Sequence, residues 1–217
     1  MSADFMPADW PAPPGILAGT TLRGGEYELP AIPKLLKQVH GTRAVHLDSD
    51  DFDDGPPEAD AVIAHRTGDI CVVQTADCMP VLLCGNDGRE IAAIHAGWRG
   101  LAAGVIEHTV GRMRTVPSNL IAWLGPAISQ PNFEVGDEVR EAFLAHGPAA
   151  KAAFERNERG RWQADLYKLA LQHLGATGVF DVFGGGLCTY GDAEHFHSYR
   201  RDGKKAGRML SFVYLRL

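Results

Sequence analysis

Short apolar runs separated by polar turns dominate the middle of the chain, and their spacing predicts β-strands. The segment 80–94, "PVLLCGNDGREIAAI", places Asn-Asp-Gly between two apolar runs, which predicts a β-hairpin. The runs "AVIA" and "ICVVQT" flank the turn "HRTGD" and predict strands over 61–64 and 70–75. Three further strands are predicted by the runs "AWLGPAI", "VFDVF" and "RMLSFVYLRL" in the second half of the chain.

Helical periodicity marks three segments. Apolar residues recur at helical spacing over 101–116, and the segments 134–147 and 165–175 repeat that pattern. In the last segment Asp165 is the predicted N-cap and Gly175 the predicted terminator. Strands and helices are therefore mixed along the chain, with prominent hairpins. This order predicts an α+β (mixed α/β) fold in layers rather than a simple parallel sheet.

The start of the chain differs in composition from the rest. Residues 1–14 are rich in Pro and Asp, and we expect a loosely held N-terminal arm before a single domain over 15–217. The 217 residues are 45% hydrophobic and 22% charged, an ordinary globular balance. The chain has no apolar run of about 18 residues, and its start lacks a basic region followed by an apolar one. We therefore expect neither a membrane helix nor a secretory signal.

Charge and cysteine content narrow the class of protein. The formal net charge of −6 disfavours a nucleic-acid binder that relies on phosphate contacts. Four cysteines in a chain of this length do not suggest a disulfide framework. We expect free thiols and a cytoplasmic protein that has no nucleic-acid or membrane partner.

Three residues with metal-binding side chains lie at the ends of predicted strands. His40 follows "LLKQV", Cys78 ends "ICVVQTAD", and His95 ends "EIAAI". Two imidazoles and one thiolate suit Zn²⁺, with the fourth position open to water or substrate. The spacing matches no short zinc motif, and by itself it favours a buried apolar cysteine with two hydrogen-bonded loop histidines. Asp77, beside Cys78, is a candidate proton carrier or a turn residue.

Basic residues near glycine turns form a second candidate site. Arg99 lies in "HAGWRG", where Gly97 and Gly100 precede a predicted helix; glycines and a helix start both suit an anion. The segment 197–209, "HSYRRDGKKAGRM", carries five basic residues. It predicts either a solvated hairpin loop or an anion pocket that Arg43 would complete.

Six motifs in this chain stand in the order found in the YfiH/laccase-domain family, which the chain resembles over residues 35–215: "KQVHG", "ADAVIA", "TADCMPVLL", "AAIHAGWRG", "LGPAISQPNFEVG" and "SYRRDGKKAGRM". The combination of "TADC" and "HAGWRG" at this spacing is highly specific. The resemblance implies a single domain of packed mixed β-sheets flanked by helices, a layered αββα-type sandwich. It also implies a zinc site built from His40, Cys78 and His95, with copper as an alternative metal.

Members of that family are similar to purine nucleoside phosphorylases that act on adenosine, inosine and methylthioadenosine and that also deaminate adenosine. The resemblance thus implies purine nucleosides and phosphate as small-molecule partners of a monomer or small homo-oligomer. Zinc lowers the pKa of bound water to about 7, which suits deamination. Cys78 and Asp77 are the candidate catalytic residues. The candidate substrate and phosphate ligands are Gln38, Arg43, Arg99, Arg200 and Arg201.

Two other functions stay open. The family was long labelled polyphenol oxidase or multicopper laccase, and two histidines with a cysteine also accept copper. A four-copper oxidase needs many histidines, usually with H-x-H pairs, whereas this chain has nine histidines and one such pair. Members are also linked to peptidoglycan editing, which leaves a zinc-bearing cell-wall maintenance factor as a third possibility.

Overall fold

The computed structural model describes residues 5–25 and 27–216. Within these residues the chain forms three β-sheets and several short helices. The strands are β1 (Phe5–Pro7), β2 (Ile16–Thr21), β3 (Ala44–His46), β4 (Ala61–Ala64), β5 (Ile70–Thr75), β6 (Met79–Gly85), β7 (Ile91–Ala96), β8 (Leu120–Leu124), β9 (Glu134–Val135), β10 (Phe154–Arg156), β11 (Trp162–Ala164), β12 (Asp181–Gly184) and β13 (Met209–Leu215). The α-helices are α1 (Trp98–Ala103), α2 (Val105–Val110), α3 (Asp137–Leu144), α4 (Leu166–Thr177) and α5 (Tyr199–Asp202).

Two large sheets pack together across a buried core. One is antiparallel, in the order β1-β2-β13-β5, and the other is mixed, in the order β12-β8-β6-β7-β4-β3. Alternate residues of both sheets fill the space between them, including Val73 and Val213 from the first and Leu82 and Ala93 from the second. The predicted α+β class with packed mixed sheets is therefore confirmed.

The helices cover the other face of the six-stranded sheet. Leu101, Ile106 and Leu169 pack with Val81 and Ile94 of that sheet in one buried cluster. The other face of the four-stranded sheet has a different cover: its apolar cluster includes Tyr27, Leu29 and Ala31, which lie in an irregular segment rather than a helix.

The described part of the expected N-terminal arm belongs to the sheet. Residues 5–7 form β1 and pair with β2, and the Phe5 ring lies 4.1 Å from the ring of Tyr27. Trp10 packs against the core between the sheets. The Pro- and Asp-rich composition predicts a loose segment, whereas its apolar side chains Met6, Ala8, Trp10 and Ala12 are partly buried against this core. Residues 1–4 lie outside the described residues.

The predicted hairpin is confirmed and sets the position of the site. Strands β6 and β7 pair antiparallel from Cys84 opposite Ile91 to Met79 opposite Ala96. Gly88 in the turn has a positive φ of 70°, which favours glycine. The next pair in this register is Cys78 and Gly97, so the hairpin brings the residue after β7 beside the residue before β6.

The three predicted helices all differ in their boundaries. The helix predicted over 134–147 is the shorter α3, because residues 134–135 form β9 instead. The other two differences follow from glycine. The helix predicted over 101–116 is two short helices, α1 and α2, because Gly104 takes a left-handed conformation with φ 92°. Helix α4 has the predicted N-cap, Asp165, but it continues through Gly175 and ends where Gly178 has φ 92°. Among the described residues, no helix is long and apolar enough to cross a membrane.

The Asp165 cap gives a test of helix α4. The Asp165 side chain accepts a hydrogen bond from the backbone N–H of Lys168 at 3.0 Å. Asp165→Ala should lower the free energy of unfolding by about 1 kcal/mol, because that N–H loses its partner. Urea denaturation measures the change. Asp181→Ala, at an exposed carboxylate on β12, is the control; an equal loss in both variants would contradict the capping role.

Candidate metal centre

The structure brings the three predicted metal ligands together at one end of the β6–β7 hairpin. His40 Nε2 lies 3.8 Å from Cys78 Sγ, and the rings of His40 and His95 are 4.7 Å apart at an angle of 75°. One ligand atom from each residue lies within 4.8 Å of the other two. Two imidazoles and one thiolate in this arrangement fit a tetrahedral zinc ion with one open position.

The glycines of "HAGWRG" give the centre its close packing. A Cβ atom on Gly97 would lie 2.8 Å from His40 Cδ2 and 2.9 Å from Cys78 Sγ. A Cβ on Gly100 would lie 2.7 Å from the carbonyl oxygen of Gly41. Both glycines therefore leave room for the ligands and for the loop that carries His40. The helix starts at Trp98, between them, rather than after Gly100.

Asp60 is the residue of the centre that the sequence analysis missed. Its side chain is fully buried, and Oδ1 lies 2.8 Å from His95 Nδ1. The same carboxylate accepts the backbone N–H groups of His40 at 2.9 Å, Gly41 at 2.7 Å and Val39 at 3.2 Å. Such a partner fixes the ring of a metal-binding histidine. The available signal was an aspartate at the start of the otherwise apolar run "DAVIA".

The His40 loop has an unusual backbone conformation that Asp60 supports. His40 has φ 60°, in the left-handed region that few non-glycine residues occupy. Three successive N–H groups, from Val39 to Gly41, converge on the carboxylate in a nest-like arrangement. The Gln38 side chain holds the loop from its other side, since its amide donates to the carbonyl of Gln74 at 2.8 Å and accepts from the N–H of Gln74 at 2.7 Å.

Neighbouring histidines lower the pKa of Cys78. Burial alone would raise the pKa of Cys78, but hydrogen bonds with His40 and His95 outweigh it and lower the pKa to about 6. Burial would lower the pKa of His95, but hydrogen bonds with Asp60 and Cys78 raise it to about 9. Asp60 keeps a lowered pKa against its own burial because His95 and the loop N–H groups bind its charged form. Cys78 is therefore thiolate at neutral pH, the form that binds metal.

A cavity of about 750 Å³ opens directly onto the three ligands. Its walls combine basic, aromatic and aliphatic side chains. Arg99 stacks on Trp98 with its guanidinium 4.4 Å from the ring, and Arg200 lies 5.5 Å from the ring of Phe133. The other lining residues include Gln38, Asp77, Ile128, Tyr199 and Arg208.

Arg99, Arg200 and Gln38 line this cavity as the predicted substrate site requires, whereas Arg43 and Arg201 do not. Arg43 pairs with Asp51. The guanidinium of Arg201 donates to the carbonyls of Thr189, Tyr190 and Phe196 and pairs with Asp202. These contacts do not favour the predicted role of Arg43 and Arg201 as phosphate ligands. Arg208, from the same basic segment, lines the cavity instead.

The Asp77 carboxylate is hydrogen-bonded to residues of the cavity wall through both of its oxygens. Oδ1 accepts the hydroxyl of Thr189 at 2.6 Å, and Oδ2 accepts the backbone N–H of Arg200 at 2.6 Å. These bonds tie the residue beside Cys78 to α5, the short helix that replaces the predicted hairpin loop over 197–209. The geometry thus supports a positioning role for Asp77 in place of the expected proton transfer.

Residues 26–216 match the family described as multi-copper polyphenol oxidoreductase laccase. The chain belongs to this family, and the resemblance of its motifs to YfiH proteins is confirmed. A Shigella flexneri protein named purine nucleoside phosphorylase YfiH is 50% identical over 187 residues, 86% of this chain and 75% of that protein. A Pseudomonas aeruginosa protein, also named purine nucleoside phosphorylase, is 40% identical across 97% of this chain and 98% of its own length.

Solved structures share the fold. The crystal structure of the Neisseria meningitidis protein NMB0706 superposes with a TM-score of 0.91 at 38% identity, covering 99% of this chain and 100% of that one. YlmD from Geobacillus stearothermophilus gives a TM-score of 0.89 at 24% identity, covering 100% of this chain and 98% of that one. The chain therefore has the fold of these solved structures.

Gly97→Ala tests the close packing of the centre. The backbone of Gly97, with φ −67°, accepts alanine, so the expected effect comes from the new Cβ against His40 and Cys78. Zinc affinity, measured by competition with a chelator, should fall about tenfold or more. Gly175→Ala is the matched control, because a Cβ there would meet nothing within 4 Å among the described residues beyond its chain neighbours and its own helix backbone. Unchanged zinc affinity in Gly97→Ala would contradict the proposed packing.

The Cys78 thiolate gives a pH-dependent prediction for the metal-free protein. The rate of Cys78 alkylation by iodoacetamide, followed by mass spectrometry, should rise with pH around the pKa of about 6. His40→Ala removes a hydrogen bond that lowers this pKa and should move the midpoint to higher pH. Cys84, whose pKa burial raises to about 12, is an internal control that should react slowly. A Cys78 midpoint near the ordinary thiol value would contradict the electrostatics.

Proposed function

We propose that this chain is a zinc-dependent purine nucleoside phosphorylase. It would convert adenosine, inosine or methylthioadenosine and phosphate into the free base and the ribose 1-phosphate, which for methylthioadenosine carries the methylthio group. The observation that carries the proposal is that two histidines and a cysteine meet at a cavity whose walls present arginines and aromatic rings. The names of the similar Shigella and Pseudomonas proteins support it.

The cavity suits both substrates. Its volume of about 750 Å³ accommodates a nucleoside with phosphate, within the usual range for small-molecule sites. Arg99, Arg200 and Arg208 supply positive charge for phosphate. Phe133 and Ile128 offer apolar surface for a purine ring.

Phosphorolysis needs orientation and charge more than a strong acid or base. A phosphate oxygen forms a bond to ribose C1′ as the C1′–N9 bond breaks, and the electron pair leaves with the purine, which takes up a proton. Arginines on the cavity wall would align the phosphate with C1′. Their positive charge would also offset the negative charge of the phosphate, which otherwise opposes its approach to the nucleoside. His40, Cys78 and His95 would hold the zinc ion, which supplies Lewis-acid chemistry beside the substrate.

Adenosine deamination is the second activity we propose for the same cavity. Here a water oxygen forms a bond to C6 of the adenine ring, the bond from C6 to the 6-amino nitrogen breaks, and the amino group takes up a proton and leaves as ammonia, which yields inosine. This reaction does not need the phosphate contacts, so arginine variants separate it from phosphorolysis. Because both carboxylate oxygens of Asp77 accept hydrogen bonds from Thr189 and Arg200, the proposal assigns that residue to holding the wall.

Copper-dependent phenol oxidation is a less well supported alternative. The donor set of the centre accepts copper as well as zinc. A four-copper mechanism, however, needs several ligand clusters, and the described residues contain two groups with ligand spacing, one of them without cysteine. Metal analysis of protein purified without added copper distinguishes the two proposals. The third candidate role, in peptidoglycan editing, is non-enzymatic or indirect; it would gain support if Cys78→Ala lost the metal and left every cellular phenotype unchanged.

Arg99→Gln provides the test of phosphate binding. The Arg99 guanidinium stacks on Trp98 and makes no hydrogen bond to the residues that the structure describes, so it is free for a ligand. Loss of a charge-assisted hydrogen bond costs roughly 1.5–3 kcal/mol, so KM for phosphate should rise by about tenfold or more. Base release from a nucleoside panel, with and without phosphate and on protein of known zinc content, measures this.

Arg43→Gln is the matched control, since this arginine pairs with Asp51 outside the cavity. It should leave KM for phosphate unchanged. Adenosine deamination should persist in Arg99→Gln. If the zinc-loaded protein released no base in a phosphate-dependent manner, the phosphorylase proposal would be wrong.

A further inference from the structure

A second cluster of potential metal ligands lies at the edge of the six-stranded sheet, away from the cavity described above. His46 ends β3, and His65 follows β4 directly. The two strands pair in parallel with His46 beside Ile63, and the backbone N–H of Leu47 donates a hydrogen bond to the carbonyl oxygen of Ile63. Two residues further along both strands, the side chain of Asp48 lies near that of His65. One ligand atom from each of the three residues lies within 4.8 Å of the other two.

The two imidazoles of this cluster lack hydrogen-bond partners. The Nδ1 atoms of His46 and His65 are both buried and unpaired within the described residues. A buried polar atom without a partner costs about 1–3 kcal/mol, so two in one cluster indicate a missing ligand. The other ring nitrogen of His65, Nε2, lies 3.6 Å from Asp48 Oδ2, a distance that leaves a direct hydrogen bond unmade.

We propose that His46, Asp48 and His65 form a second metal site, which binds a divalent transition-metal ion of the zinc class. Two imidazoles with one carboxylate are a common ligand set for Zn²⁺, Co²⁺ and Fe²⁺, whereas Mg²⁺ and Ca²⁺ prefer oxygen ligands alone. Of the three residues, His65 also lines a cavity of about 480 Å³, through which water would reach its side of the site. The site does not depend on the proposed phosphorylase activity.

The surrounding charges are compatible with a cation. Arg66 lies 2.9 Å from Asp48 Oδ2, but 64% of its side chain is exposed, so it can withdraw when the ion binds. Asp48 and Glu90 act on His46 as negative charges, and Arg112 and Arg114 act on it as positive charges. The ion would therefore enter a region that contains carboxylates as well as arginines.

The place of the site in the fold suggests its role. Strand β3 has three residues and pairs only with β4 in its sheet. His40 and Asp60, at the first metal centre, precede β3 and β4, and the second cluster follows the same two strands. An ion bound there would link the end of β3 to the residue after β4, so its binding should stabilise the folded chain.

Cobalt titration of the full chain tests the second site without an activity assay. Wild-type protein should bind two Co²⁺ ions per chain. One ion should produce a thiolate-to-cobalt charge-transfer band, because its ligands include Cys78, and the other should produce ligand-field bands alone. His65→Gln and, independently, Asp48→Asn should each remove the ion without the charge-transfer band and retain the other.

His108→Gln is the matched control, because His108 is exposed on α2 and outside the cluster. It should leave both ions bound. A single cobalt equivalent that carries the charge-transfer band in wild-type protein would overturn the second site, as would a second equivalent that survives both His65→Gln and Asp48→Asn. If the site that contains Cys78 did not bind cobalt, the spectrum would lack the charge-transfer band, so the two failures can be distinguished.

Discussion

The Asp60 carboxylate is the interaction on which the metal centre depends. A buried charge without partners would cost several kcal/mol, so the fold must supply donors to it. It does so with His95 Nδ1 and three backbone N–H groups of the His40 loop. One side chain therefore orients one metal ligand directly and holds the backbone of a second in an unusual conformation. Replacing it would disturb both ligands together.

The third ligand depends on strand pairing. The register of β6 and β7 sets Cys78 beside Gly97, and the absence of a side chain on Gly97 lets sulfur and imidazole approach. The same segment carries Asp77, whose carboxylate ties the Cys78 turn to Thr189 and to Arg200 on the cavity wall. Short hydrogen bonds thus link the Cys78 turn to the cavity wall that carries Arg200.

Much of this arrangement could be predicted from sequence because it rests on local patterns. The "NDG" hairpin joins Cys78 and His95 within one supersecondary unit, and the Asp165 cap follows from a short-range rule. His40 lies outside this unit, and the family motif identifies it as a ligand. Tertiary contacts were harder to predict. Asp60 becomes a partner of His95 only when β4 and β7 pair, and Arg201 differs from Arg200 only through the turn of a four-residue helix. The sequence shows neither relation.

Zinc binding by Asp60→Asn tests the account most directly. Asparagine keeps the size of the side chain, but it removes the charge and turns one acceptor into a donor that faces the N–H groups of the loop. Loss of such a partner typically weakens metal binding by about 10- to 100-fold. We predict a zinc dissociation constant raised by that factor, measured by chelator competition on protein whose folding is verified by circular dichroism. Folded Asp60→Asn protein with wild-type zinc affinity would contradict the central role of this carboxylate.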